Sequence, residues 1–262
     1  MIEGPLAFIE VRTNWVKRRI ALILGALAVV LSIASLSVSL TEKQKQNSAT
    51  QSLYSAPADL EQLILRVKQS LVTVECGDGI GSGWVTSLDW SGVTEASSRA
   101  IIEQYPSSVI TNHHVIEDCI NDPNLNQSVL LGATGLRREY TIWDWDSDND
   151  LALILVDAEL KPVVEASETP RGGWWAMAIG SPWEFNSSVS IGNVISTANE
   201  STEYDIISSA MLNPGNSGGP LVNSRGEVMG TNTWGVNDKV YGLYYISVGN
   251  RAICDLLVEC DD

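Results

Sequence analysis

Three short stretches carry residue types that could work together as nucleophile, base and orienting acid. The first is Leu212-Asn213-Pro214-Gly215-Asn216-Ser217-Gly218-Gly219-Pro220-Leu221. A serine ringed by glycine and proline suits neither a helix nor a strand. It reads as a tight turn, where glycine supplies backbone angles closed to other residues. Such a turn holds the Ser217 hydroxyl at a fixed angle and keeps backbone N–H groups close by to bind a developing oxyanion. An ordinary glycine-rich turn has the same composition, so the stretch needs partners to mean more. A serine nucleophile needs a base, and the base needs a carboxylate to orient it. The chain has only two histidines, His113 and His114, within Thr111-Asn112-His113-His114-Val115. Acids follow downstream: Asp144, Asp146, Asp148 and Asp150 alternate with Trp145, Ser147 and Asn149, just ahead of the apolar run Leu151-Ala152-Leu153-Ile154-Leu155-Val156. Alternating acids also begin calcium loops. Here no glycine occupies the turn and no glutamate closes the loop, so a solvated acidic turn is the plainer reading of the acids left over.

The elements that must position these residues read as short strands. Ile206-Ile207 and Leu221-Val222 flank the serine turn. The histidines end an apolar strand over residues 109–115, where adjacent residues face opposite ways. Residues 70–75 alternate as a strand, and residues 76–85, with Gly81-Ser82-Gly83-Trp84, read as a glycine-loosened hairpin. Residues 171–183 hold Trp174, Trp175 and Trp183, with Gly180-Ser181-Pro182 between the last two, and at least two of these tryptophans are expected in the core. Residues 190–197 read as another strand, residues 88–105 as a long polar surface loop, and residues 252–258 as a short helix. The order along the chain is His, then Asp, then Ser. That order belongs to the chymotrypsin-like double barrel; subtilisins run Asp, His, Ser and α/β-hydrolases run Ser, Asp, His.

The segments Thr111-Asn112-His113-His114-Val115, Asp150-Leu151-Ala152-Leu153 and Asn213-Pro214-Gly215-Asn216-Ser217-Gly218-Gly219-Pro220-Leu221-Val222 resemble the trypsin-like serine peptidases of the HtrA (DegP) type. The resemblance covers roughly residues 70–258 and implies an all-β fold of two six-stranded barrels. It also implies roles. The base directly precedes the valine, which selects His114 over His113. The acid directly precedes Leu-Ala-Leu, which selects Asp150. Ser217 is the nucleophile, and the N–H groups of Gly215 and Ser217 form the oxyanion hole. No metal or cofactor is called for. Met211, six residues before the nucleophile, is expected to floor the pocket for the side chain preceding the cut, with Thr233-Trp234-Gly235 as its wall. Tyr244 is expected where such enzymes often keep glycine, narrowing that pocket, so cleavage should follow an apolar residue. Asn216 stands where secreted trypsin-like zymogens place an aspartate for a newly cut N-terminus, so that activation switch is not expected. A bond between Cys76 and Cys119 resembles the one that clips the histidine loop in chymotrypsin-like enzymes; Cys254 and Cys260 are expected to pair at the C-terminus. Four cysteines alone allow three pairings. Unlike the family pattern, no peptide-binding PDZ module is expected after the last strand, so PDZ-coupled activation is not expected either.

The formal net charge is −16, which argues against nucleic acid as a partner. Residues 20–40 are 21 uncharged residues, long enough to span a bilayer as a helix and longer than the usual signal-peptide core. Arg12, Lys17, Arg18 and Arg19 precede them. The positive-inside rule then puts residues 1–19 in the cytoplasm and the remainder outside the cell membrane. That outer part carries 12 basic and 30 acidic residues, a net of −18. Ala21, Gly25, Ala28, Ser32, Ser35 and Ser39 line one face of the span, a stripe along which membrane helices self-associate. Residues 41–58 read as a flexible tether rich in Gln, Ser and Lys. Asp59 then caps a short amphipathic helix with Leu60, Leu63, Ile64 and Val67 inward and Gln62 at the third position. The peptidase domain is expected over residues 59–262. Taken together, these readings lead to a membrane-anchored serine endopeptidase acting on extracytoplasmic proteins. The rival from another class is a catalytically silent peptide-binding or stress-sensing protein on the same barrels.

Overall fold

The computed structural model describes residues 52–132, 134–181, 188–197, 205–239 and 242–257. The expected membrane span, most of the tether and Cys260 lie outside the described residues, as does the side chain of Cys254. Among the described residues no helix is long and apolar enough to cross a membrane.

Among the described residues, twelve strands close into two antiparallel barrels. The first joins β1 (Leu71–Cys76), β2 (Gly79–Thr86), β3 (Ser107–Thr111), β4 (Gln127–Leu131), β5 (Arg137–Asp146) and β6 (Leu151–Val156) in the order β1-β2-β3-β6-β5-β4. The second joins β7 (Trp175–Gly180), β8 (Ser188–Thr197), β9 (Asp205–Ser208), β10 (Pro220–Val222), β11 (Val228–Asp238) and β12 (Gly242–Gly249) in the order β10-β11-β12-β9-β8-β7. Both cycles close, through β1 with β4 and β10 with β7, so neither barrel leaves an unpaired edge.

The apolar run of β6 explains how the barrels meet. Alternate residues face opposite sides of a strand. Ala152, Ile154 and Val156 fill the first barrel with Val74, Val109 and Val129. Leu151 and Leu153 turn outward, yet they are buried too, because they pack on Trp175, Met177 and Val222 of the second barrel. A strand buried on both faces reads as a continuous apolar run rather than an alternation. Trp84 lies in the same interface, and its Nε1 donates to Thr231 Oγ1 at 3.1 Å.

Among the described residues, four helices accompany the barrels: α1 (Leu60–Lys68), α2 (Ala96–Gln104), α3 (His113–Asn121) and α4 (Arg251–Leu256). In α1, Asp59 accepts the Gln62 N–H at 3.0 Å, and Leu63 and Val67 are buried, as the amphipathic pattern predicts. The segment expected to be a polar loop over residues 88–105 contains α2. No residue of α2 is buried, so its apolar periodicity is too weak to be seen in sequence. The histidines do not end a strand: β3 stops at Thr111 and both lie in the first turn of α3. The end of the expected tether is packed, because Leu53 is buried in the second barrel's core and its carbonyl accepts the Trp175 N–H at 2.7 Å. Trp174 and Trp175 are core residues as expected, whereas Trp183 lies outside the described residues. Cys76 and Cys119 form a disulfide that ties β1 to α3.

Candidate active site

Asp150, in the turn between β5 and β6, has a left-handed backbone with φ 54°. Non-glycine residues seldom adopt that region without local support. The support comes from Asn112, whose buried Nδ2 donates to the Asp150 carbonyl at 2.7 Å. In this posture the carboxylate reaches back to the start of α3. Asp150 Oδ1 accepts the His114 main-chain N–H at 2.9 Å, and Oδ2 lies 2.7 Å from His114 Nδ1. Asn112 itself makes no side-chain cap to this helix; the carboxylate satisfies one of the helix's open N–H groups instead. The imidazole is 46% exposed and the carboxylate 17%, so the ring opens to solvent while its acid is enclosed. His113, one residue earlier on the same turn, makes no such contact.

Ser217 comes from the second barrel. Gly215 and Gly218 have φ of 93° and 83°, as the turn reading of this stretch requires. At Gly218 a Cβ would also stand 2.0 Å from the Ser82 carbonyl oxygen and 2.4 Å from Thr111 Oγ1, so only glycine fits. Asn232 braces the turn from β11: its carbonyl accepts the Gly218 N–H at 2.8 Å, its N–H donates to the Gly219 carbonyl at 2.7 Å, and its Nδ2 donates to the Pro220 carbonyl at 3.1 Å. Among the described residues, no acceptor engages the N–H of Gly215 or of Ser217. The Ser217 hydroxyl donates to the Thr233 carbonyl at 3.2 Å and is not hydrogen-bonded to His114. Nucleophile–base contacts are commonly loose before substrate binds.

Thr233, expected in the pocket wall, turns its buried side chain inward, where Oγ1 donates to the Thr231 carbonyl at 2.9 Å and accepts from Asn112 Nδ2 at 3.3 Å. Met211 and Trp234 are 49% and 40% exposed. Tyr244 pairs with Val236, whereas Tyr245 pairs with Gly235, and a Cβ on Gly235 would lie 3.2 Å from the Tyr245 ring. The register of β11 and β12 shifts at a bulge between Asn232 and Trp234, and a shift of one residue exchanges the faces of a strand. Asn216 is buried, and its Oδ1 accepts from Ser188 Oγ at 2.5 Å, so this position is neutral and internally held. Asn112, Asn232 and Ser82 are site residues that sequence reasoning passed over. Their only signal is a polar residue inside an otherwise apolar or glycine-rich stretch.

With this geometry in hand, known proteins can be compared. The family described as trypsin-like peptidase domain matches residues 81–230. A protein named HhoB of Synechocystis sp., described as a serine protease, is 32% identical over 171 residues, which are 59% of this chain and 34% of that protein. A protein of Marinomonas sp. described as a DegP-like periplasmic serine endoprotease is 34% identical over 151 residues, 54% of this chain and 30% of that protein. Among solved structures, a serine endoprotease from Yersinia pestis superposes with a TM-score of 0.59 at 25% identity, covering 77% of this chain and 66% of that one. Deg5 superposes with a TM-score of 0.58 at 28% identity, covering 74% and 90%. The chain thus spans about a third of the length of the curated relatives named here.

Proposed function

The chain belongs to the trypsin-like peptidase domain family, and from that premise we propose that it is a serine endopeptidase of the HtrA type with His114, Asp150 and Ser217 as its triad. The observation that carries the reading is the 2.7 Å contact between Asp150 Oδ2 and His114 Nδ1, with Ser217 supplied from the other barrel on a glycine-held turn. Asp150 keeps the proton on Nδ1, which leaves Nε2 as the base. Nε2 takes the Ser217 proton as the hydroxyl oxygen bonds to the peptide carbonyl carbon. The resulting oxyanion is received by the open N–H groups of Gly215 and Ser217. His114 then gives the proton to the leaving amine, and water clears the acyl-enzyme by the same route.

Substrates in this reading are proteins cut after small apolar residues. The exposed apolar side chains of Met211 and Trp234 support this, and Tyr245, packed against Gly235, restricts depth. Residues 20–40 anchor the chain in the cell membrane with the peptidase outside, which agrees with the periplasmic relative. A second reading is a resting or silent peptide-binding form, and the Ser217 hydroxyl turned toward the Thr233 carbonyl favours it. A fluorophosphonate probe applied to the full-length chain and to Ser217→Ala separates the two. Labelling that disappears in the variant supports the peptidase. A folded, oxidised chain that does not label supports the silent form.

A further inference from the structure

Ser82 sits at the middle of β2, fully buried at 0% exposure. Its neighbours Gly81 and Gly83 are glycines because a Cβ at either would fall within 2.6 Å of a valine side chain. Ser82 alone therefore carries a side chain at this point, and it faces the second barrel. A buried hydroxyl is costly unless its donor and acceptor roles are both filled. Here they are. Ser82 Oγ donates to the Gly215 carbonyl at 2.5 Å and accepts the Ser181 N–H, from the end of β7, at 2.8 Å. The backbone of the same residue reaches the same turn, because its N–H donates to the Ser217 carbonyl at 2.7 Å. Its own carbonyl is in turn held by Thr111 Oγ1 at 2.7 Å.

Gly215 makes this clamp consequential. Glycine accepts positive and negative φ with similar ease, so the turn itself does not choose one orientation of the peptide between Gly215 and Asn216. Two bonds choose it: Ser82 Oγ holds the carbonyl of that peptide, and the Asn213 carbonyl accepts its N–H at 2.9 Å. With Gly215 held on its far side and the Ser217 carbonyl held by the Ser82 N–H, the N–H groups of Gly215 and Ser217 keep fixed directions and remain without protein acceptors. We propose that Ser82 is the positioning residue of the oxyanion turn, its hydroxyl holding the Gly215 carbonyl so that both N–H groups stay available to the oxyanion. This rests on the peptidase reading above and adds a residue of the first barrel to the machinery of the second.

The test compares full-length wild type, Ser82→Ala and Ser107→Ala. Ser107 Oγ accepts the Leu160 N–H at 2.8 Å, so its loss also orphans a backbone donor, but away from the turn. Fluorescent casein hydrolysis gives kcat and KM, and fluorophosphonate labelling gives an independent rate at Ser217. Ser82→Ala should lower kcat and the labelling rate together by roughly ten- to a hundredfold with KM little changed, as displaced transition-state donors do. Ser107→Ala should lower the melting temperature without that loss. If Ser82→Ala does not fold, Ser82→Cys keeps a γ atom at this position but a much weaker donor, and carries the same comparison. A Ser82 variant that folds and keeps wild-type kcat, or loses activity only through KM, overturns the assignment of Ser82 while leaving the peptidase reading standing. A wild-type chain that neither hydrolyses nor labels overturns both.

Discussion

Asp150 holds His114 at two points, the ring Nδ1 at 2.7 Å and the main-chain N–H at 2.9 Å. One carboxylate thus sets the imidazole's orientation and also closes the first turn of the helix that carries it. The two contacts come from a residue at φ 54°, so the posture depends on the bond from Asn112 to the Asp150 carbonyl.

Replacing this carboxylate should separate chemistry from fold. In Asp150→Asn the shape is kept, but the amide can donate toward Nδ1 and favour the wrong tautomer. The expected loss in kcat on casein is about 10⁴-fold. The lost charge-assisted bond to the His114 N–H should also lower stability by about 1.5–3 kcal/mol, read by urea denaturation. A loss in kcat below tenfold would mean that His114 is not oriented by this acid.

The disulfide should matter for the same helix. Cys76 and Cys119 lie 43 residues apart in sequence with Cα atoms 5.8 Å apart, and they join β1 to α3 behind His114. Closing a loop of this length restricts the unfolded chain by about 4 kcal/mol. The double variant Cys76→Ala/Cys119→Ala should lose most of that in denaturant titration, and wild type should lose a similar amount under reductant. Equal midpoints with and without reductant would contradict this.

Glu165 should produce a pH-dependent loss of stability. Burial raises its carboxyl above the ordinary value of 4.5, opposed by the hydrogen bond from Thr86 Oγ1. A carboxyl with a raised folded pKa favours the fold while protonated. That contribution is complete below the ordinary value and is lost as pH rises through the raised one. Glu165→Gln should therefore melt higher than wild type near neutral pH, and the difference should shrink toward pH 4. Asp205, raised by burial as well, adds a slope of the same sign that remains in the variant. A constant difference across this range would show that ionisation of Glu165 is not the cause.

The candidate site was legible wherever chemistry is local in sequence. Ser217 announces itself because its turn needs glycine at φ 93° and 83°. His114 is the candidate base because the chain has only two histidines and the resemblance chooses between them. The Cys76–Cys119 bond was expected and is present. The helix α2 was missed because it buries nothing, and packing is what gives a helix its apolar period.

What the sequence determined by itself was the set of candidate groups, Ser217, His114 and Asp150, their order along the chain and a strand-rich pattern, since each of these depends on residue types and short-range backbone preference. What only the tertiary structure decided was which residues hold those groups in place. The clamp of Ser82 on Gly215 spans 133 positions, and the bond from Asn112 to Asp150 spans 38. The register that sets Tyr245 against Gly235 follows a bulge in β11 between Asn232 and Trp234. Such relationships arise when two barrels close and pack, and no spacing along the chain encodes them directly, because the contacting groups are brought together by burial of Leu151, Leu153 and Trp84 between the barrels.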